Sequence, residues 1–332
     1  MLVRMVSSAQ YDLLNFRNKG TGLGFGRGSL AKALMDYYKD HTNTDESREL
    51  MDSVKRFYSR WSIAGKKIKC FEDVYLGMAL IDLQQVTGNE KYKSAIDSIF
   101  AYLKNYETDE MGSFTVKDKK KNEYFYAETI GMLCPFLAKY GKTYDNPDAT
   151  SMAVTQIQNF VRLGIDEKTM LPYHAIDVKS QMKMGIIGWG QAVGKLMMGM
   201  AETLYYMDSE NPGYEIVKQA FRRIVDKVEA YQLEGGLYTW QLSAKEGPVD
   251  TAASAMILYA IALSLEDKVL IGIHRNRLLR GIEALKMCIQ EDGTLPGAAA
   301  ESNGINNYPM EFGSYPWGLG PALSLLVLTE KM

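Results

Sequence analysis

Residues 188–204 read GWGQAVGKLMMGMAETL, a tryptophan and a glutamine followed by a segment that is small or apolar nearly all round at helical period. A helix that is apolar on every side is buried on every side. Gly194 and Gly199 interrupt it, although glycine in a helix interior costs up to about 1 kcal/mol relative to alanine, and close approach of neighbouring helices would explain that cost. The same pattern recurs at FEDVYLGMALIDLQQVTG (71–88), YAETIGMLCPFLAKYG (126–141), VDTAASAMILYAIAL (249–263) and YPWGLGPALSLLVL (315–328). A fainter copy, GRGSLAKALMDYYK, occupies 26–39. The starts lie about 45 to 67 residues apart, which leaves room for one return helix between neighbours. A fixed recurrence of this kind is the first thing to weigh in assigning a fold.

The intervening stretches 44–61, 90–106, 149–163, 214–231 and 273–289 are amphipathic, with charged faces as in ESRELMDSVKRFYSRW and GYEIVKQAFRRIVDKVEAY. One side of each meets water. An all-apolar inner set inside an amphipathic outer set predicts an all-α (α/α)6 barrel of six helical hairpins, filling residues 1–332 as a single domain. A superhelical solenoid also stacks helix pairs, but six pairs suffice to close a ring and neither end reads as a polar cap. The short pieces GSFTV (112–116), GLYTW (236–240) and GTLPG (293–297) are flanked by glycine and suit small hairpins at the mouth, and GTGLGFGRG (20–28) reads as a loop.

A net charge of −2 gives no electrostatic case for nucleic acid or an anionic membrane. The three cysteines, Cys70, Cys134 and Cys288, suit buried thiols in a reducing compartment better than a disulfide framework. The first residues, MLVRMVSSAQYDLL, lack the apolar run of a signal peptide, and no stretch approaches the ~18 apolar residues of a spanning helix. A soluble, cytoplasmic protein is expected. No Walker A sequence, dinucleotide fingerprint, Cys/His metal cluster or GxSxG elbow is present.

Each clear copy places its polar or aromatic residues at its start: Glu72 and Asp73, Glu128, Trp189 and Gln191, Asp250, then Tyr315 and Trp317. If the inner helices run parallel around one axis, these residues converge at one mouth, with His174 on the loop leading into the fourth copy. Paired carboxylates supply proton transfer and charge stabilisation at a glycosidic centre, and aromatic faces stack on sugar rings. Taken singly, an acid in the first turn of a helix is equally explained by capping and the helix dipole, and a buried tryptophan by packing.

YAETIGMLCPFLAKYG resembles the Asp-Thr, Met, Pro-Phe-Leu segment of the unsaturated glucuronyl and rhamnogalacturonyl hydrolases, glycoside hydrolase families 88 and 105. LPYHAIDV (171–178) followed by IIGWGQAVGKLMMGMAETL (186–204) resembles their His, then Trp-Gly-Arg-Gly-Asn-Gly-Trp segment. The remaining inner segments resemble theirs in order, from Phe71 to the C-terminus. The resemblance implies removal of a Δ4,5-unsaturated uronic acid from the non-reducing end of an oligosaccharide: an acid protonates C4, water adds at C5 and the hemiketal collapses, with no metal or organic cofactor. It makes Glu128 and Glu72 the catalytic carboxylates, with Asp73, His174, Trp189, Gln191, Lys195, Asp250, Tyr315 and Trp317 lining the sugar site. Both glutamates stand where the family has aspartate, Gln191 where it has arginine and Lys195 where it has the last tryptophan of that motif. An arginine grips a uronate bidentately and a lysine does not, so altered specificity follows. A different sugar-active enzyme on this barrel, such as a uronyl epimerase or a polysaccharide-biosynthesis enzyme, and a non-catalytic saccharide-binding scaffold are the alternatives. The family usually carries more chain before its first hairpin, and a barrel short of part of an outer helix would bury the seam in a homodimer.

Overall fold

A computed structural model of the chain describes residues 1–16, 24–42, 44–63, 68–118 and 120–330. Among them, the even-numbered helices α2 (Gly24–Asp40), α4 (Leu76–Thr87), α6 (Ala127–Thr143), α8 (Gly190–Tyr206), α10 (Thr251–Glu266) and α12 (Pro316–Thr329) are the six repeats. Each packs on the next, and α12 packs back on α2, so the ring closes. The odd-numbered helices α1 (Leu2–Asn15), α3 (Asp45–Ile63), α5 (Glu90–Lys104), α7 (Pro147–Gly164), α9 (Tyr214–Val228) and α11 (Arg275–Cys288) form the outer layer. This is the (α/α)6 barrel expected from the repeat, and a closed ring rather than a solenoid. Nearly every residue of α10 and α12 is buried, whereas α9 buries only Val217, Phe221, Ile224, Val225 and Val228, the stripe that spacing by three and four dictates.

Local chemistry sets the hairpins. Gly88 ends α4 in the left-handed conformation at φ +64°, the ordinary glycine C-terminus, and the next residue, Asn89, accepts the Lys91 N–H to start α5. Asn146 caps α7 by accepting the Ala149 N–H, with Pro147 in its first turn. At the crossing of α6 and α8, a Cβ on Gly131 would lie 2.4 Å from the Lys195 carbonyl oxygen, and one on Gly199 would lie 2.6 Å from that of Ile130. Close helix approach thus accounts for Gly199, as expected.

One expectation needs correction. The stretch GTGLGFGRG is not all loop: Gly24, Phe25, Gly26, Arg27 and Gly28 form the first turn of α2, while positions 20–23 lie outside the described residues. Glycine there permits contact, since a Cβ on Gly24 would lie 2.4 Å from the backbone of Asp73. The first hairpin has its outer helix, because α1 buries Met5, Val6, Ala9 and Leu13 against α2, α3 and α12. That fills the seam on which the homodimer expectation rested.

At the mouth, β1 (Val116–Lys117), β2 (Glu123–Tyr126), β3 (Ala175–Asp177) and β4 (Lys183–Met184) make an antiparallel sheet. A second pair joins β5 (Ala298–Ala299) to β6 (Phe312–Gly313). GSFTV runs into β1 and GTLPG leads into β5, while Thr239 of GLYTW bridges Val249.

Candidate active site

Strand β2 runs directly into α6, and its register against β3 pairs Tyr126 with Ala175. The Ala127 N–H then donates to the His174 carbonyl at 2.9 Å. Two residues remote in sequence are thereby fixed side by side, Glu128 in the first turn of α6 and His174 at the start of β3. His174 Nε2 donates to Glu128 Oε2 at 2.9 Å. The Tyr308 hydroxyl lies 2.7 Å from Nδ1 and accepts the Ile186 N–H at 3.1 Å. Gly185, at φ +78°, makes this turn: a Cβ there would lie 2.6 Å from the Tyr308 hydroxyl oxygen and 2.7 Å from His174 Cβ.

The glycine-mediated crossing of α6 and α8 supplies the second partner. Lys195 turns inward, 1% exposed, and donates from Nζ to Glu128 Oε1 at 2.8 Å. Burial by itself works against charge on Glu128, but Lys195 and the His174 hydrogen bond outweigh it and hold the carboxyl down to about 2. Burial likewise opposes charge on Lys195, and Glu128 with Glu301 overcomes it, raising the ammonium above its usual range. Both oxygens of Glu128 are therefore bonded and the group is ionised throughout the neutral range.

Glu301, on the loop between β5 and β6, lies 3.9 Å from the same ammonium. Burial raises its carboxyl to about 7, with Lys195 opposing and the negative Glu128 and Glu72 adding to the rise. Glu72, partly exposed in the 3-10 turn Phe71–Tyr75, acts electrostatically on both Lys195 and Glu301.

The other expected residues divide into two groups. Trp189 caps α8 and packs its ring 4.9 Å from His174 and 5.2 Å from Tyr308. Tyr315, partly exposed, stacks on Trp317 at 4.4 Å and 11°, and Tyr126 sets its ring 5.2 Å from His174. Of these rings, Tyr126 and Tyr315 are partly exposed, whereas Trp189 is 1% exposed. Gln191, Asp250 and Trp317, expected to touch sugar, each bond the protein, while Gln191 Oε1 and Asp250 Oδ2 are buried without a hydrogen-bond partner. Gln191 Nε2 donates to the carbonyls of Ala299 and Ala300 at 2.7 and 3.2 Å. Trp317 Nε1 donates to Ala299 at 2.9 Å. Asp250 Oδ1 caps α10 and also accepts the Ala299 N–H at 3.1 Å, and burial raises its carboxyl to about 6 against those donors and Lys195. All three hold one strand, β5. Asp73 Oδ2 accepts the Lys69 N–H at 2.8 Å and tethers the loop before its own turn. The sequence reading missed Glu301 and Tyr308, which AAAESNGINNYPMEF (298–312) carries as a polar, glycine-containing loop outside the repeat.

A closed helical barrel with an ionised glutamate, further carboxyls and aromatic rings at one end of its axis is the build of a carbohydrate-active enzyme. The model of Glycosyl Hydrolase Family 88 matches residues 3–332, and the chain belongs to that family of glycoside hydrolases. The unsaturated rhamnogalacturonyl hydrolase YesR of Bacillus subtilis (strain 168) is 24% identical over 293 residues, covering 85% of this chain and 83% of that protein. Among solved structures, a possible member of the GH105 family from Klebsiella pneumoniae superposes with a TM-score of 0.89 at 17% identity, over 100% of this chain and 93% of that one. The unsaturated glucuronyl hydrolase of Bacillus sp. GL1, responsible for glycosaminoglycan degradation, gives 0.77 at 14% identity, over 99% and 95%. No described helix is long and apolar enough to cross a membrane.

Proposed function

We propose that the mouth hydrates the C4=C5 double bond of a Δ4,5-unsaturated uronic acid at the non-reducing end of an oligosaccharide, releasing that residue as the hemiketal collapses. The observation that carries this reading is Glu128, whose two carboxylate oxygens are bonded by Lys195 and His174 at 2.8 and 2.9 Å beside aromatic rings. So held, Glu128 is a base in the resting enzyme, suited to take the proton of the water that adds at C5. Glu72 faces the positive charge that develops along C5 and the ring oxygen. The partly exposed Tyr126 and Tyr315 offer ring faces to the sugars. The reaction as written balances without a metal or organic cofactor.

The test follows the ultraviolet absorbance of the enol-ether double bond in lyase-generated disaccharides from rhamnogalacturonan and glycosaminoglycans. Wild-type protein should remove it, and Glu128→Gln should slow the loss about 10²–10⁴-fold. No change with wild type across the panel would overturn the assignment. One domain over 1–332 and a reducing, cytoplasmic compartment belong to the same reading, the latter supported by three free cysteines. With α1 filling the seam, a homodimer would have to form on another face, and sedimentation reads it directly.

A further inference from the structure

Among the described residues, the site contains one buried ammonium and more than one carboxyl. Lys195 Nζ is 2.8 Å from Glu128 and 3.9 Å from Glu301. A single cation cannot keep both ionised in a buried place. The nearer carboxyl, which also has His174, keeps its charge, and the farther one is left to bind a proton. Pairs of titratable groups pushed apart in this way mark acid and base. Glu301 is also placed with unusual firmness for a loop residue. The two residues before it are held by Gln191 from α8, Asp250 from the start of α10 and Trp317 from α12, and the Ala300 N–H donates to Glu311 across the hairpin at 2.8 Å. Its side chain remains 22% exposed beside Glu128 at 12%, so it is open to the mouth.

We propose that Glu301 is the proton donor of this enzyme, delivering its carboxyl proton to C4 of the unsaturated ring. This rests on the hydration reading above and completes it, because Glu128, paired with Lys195 and His174, is ionised in the resting enzyme. In the step, the Glu301 O–H bond breaks as a C4–H bond forms from the double-bond electron pair, leaving positive charge at C5 and the ring oxygen. Water adds its oxygen to C5 and passes a proton to Glu128. Solvent then carries a proton from Glu128 back to Glu301. The charged groups that act on Glu301 are Lys195 on α8, Glu128 on α6 and Glu72 ahead of α4, with Asp250 behind the strand.

The experiment measures kcat/KM against pH for wild type, Glu301→Gln and Glu301→Asp on the unsaturated disaccharides. Wild type should lose rate as pH rises through about 7, where burial has moved Glu301. Glu301→Gln should fall at least ~100-fold and lose that limb, while Glu301→Asp should keep the limb and part of the rate. A Glu301→Gln enzyme within about tenfold of wild type, or one that keeps the descending limb, overturns the proposal. Wild-type inertness on the whole panel would instead sink the substrate reading. The donor is then judged without substrate, by the carbon-13 titration of the glutamate carboxyls. A resonance with its midpoint near neutrality, missing from Glu301→Gln, supports the protonated donor, and its absence rejects it. Glu301→Asp serves both arms if the glutamine variant does not fold.

Discussion

At the residue scale, Glu128 and Glu301 share one cation and respond to pH with opposite sign. The folded protein holds Glu128 at about 2, below its ordinary value of 4.5, so its contribution is present above that ordinary value and is lost as pH falls towards 2. Wild type should therefore lose urea stability between roughly pH 5 and 2 more steeply than Glu128→Gln, by ~2–3 kcal/mol over the window. Equal slopes would mean that the ion pair contributes nothing. Glu301 runs the other way. Raised to about 7, it stabilises below its ordinary value and that contribution disappears as pH rises through 7, when a buried carboxylate must form. Glu301→Gln should gain on the order of 2 kcal/mol relative to wild type between pH 5 and pH 8, read from urea midpoints at both values. Glu128 was legible in the sequence as the acid at the start of a repeat, His174 as the histidine of the loop before the fourth copy, and Lys195 through the family resemblance. The hold of Gln191, Asp250 and Trp317 on β5 was not, because a polar group at a helix start looks the same whether or not a strand packs across it. That strand belongs to β5, 49 positions beyond its Asp250 partner, and no local spacing announces the pairing.

At the scale of elements, the inner helices could be read from composition, since only burial on all sides permits a segment such as TAASAMILYAIALSLE. Helix α1 shows a stripe of the same kind in Met5, Val6, Ala9 and Leu13, spaced by one, three and four, yet a terminal stretch without an inner copy before it offers no repeat to match. The crossing of α6 with α8 was legible only as glycines. The contact of Gly131 with the Lys195 backbone sets the register that brings the ammonium to Glu128, the carboxylate proposed above as the base. Gly131→Ala must push the helices apart, as its Cβ would meet a backbone oxygen at 2.4 Å that cannot rotate away. A loss of about 1–3 kcal/mol is expected, with kcat down tenfold or more because positioning supplies much of the rate. Gly272→Ala, where nothing lies within 4 Å, is the control and should change neither. If Gly131→Ala retains full kcat, the crossing does not position Lys195.

At the scale of the whole molecule, the inner helices bury charged groups among their apolar faces. Lys32 on α2 bonds Asp36 at 2.6 Å and the Tyr259 hydroxyl of α10 at 2.8 Å, and lies 3.4 Å from Glu202 of α8. Tyr75, at the head of α4, donates to Glu202 at 2.9 Å, and Ser324 of α12 donates to Asp36 at 2.9 Å. Beside them, Asp82 of α4 receives Lys139 of α6 at 2.7 Å and Lys39 of α2 at 2.8 Å. Every inner helix therefore contributes to one of two neighbouring polar clusters, one around Lys32 and Glu202 and the other around Asp82. Such a network is costly when incomplete, because removing one partner strands a buried charge, whereas exchanging both for apolar groups can be nearly neutral. Lys32→Met should destabilise by about 3–5 kcal/mol, and Lys32→Met with Glu202→Leu by less than the single change. Both should keep kcat at temperatures where they remain folded, since neither residue reaches the mouth cluster. Urea unfolding of the four members of this cycle decides it. A double variant that costs the sum of its parts would show that the charges act independently, and that the ring is held by its apolar faces alone.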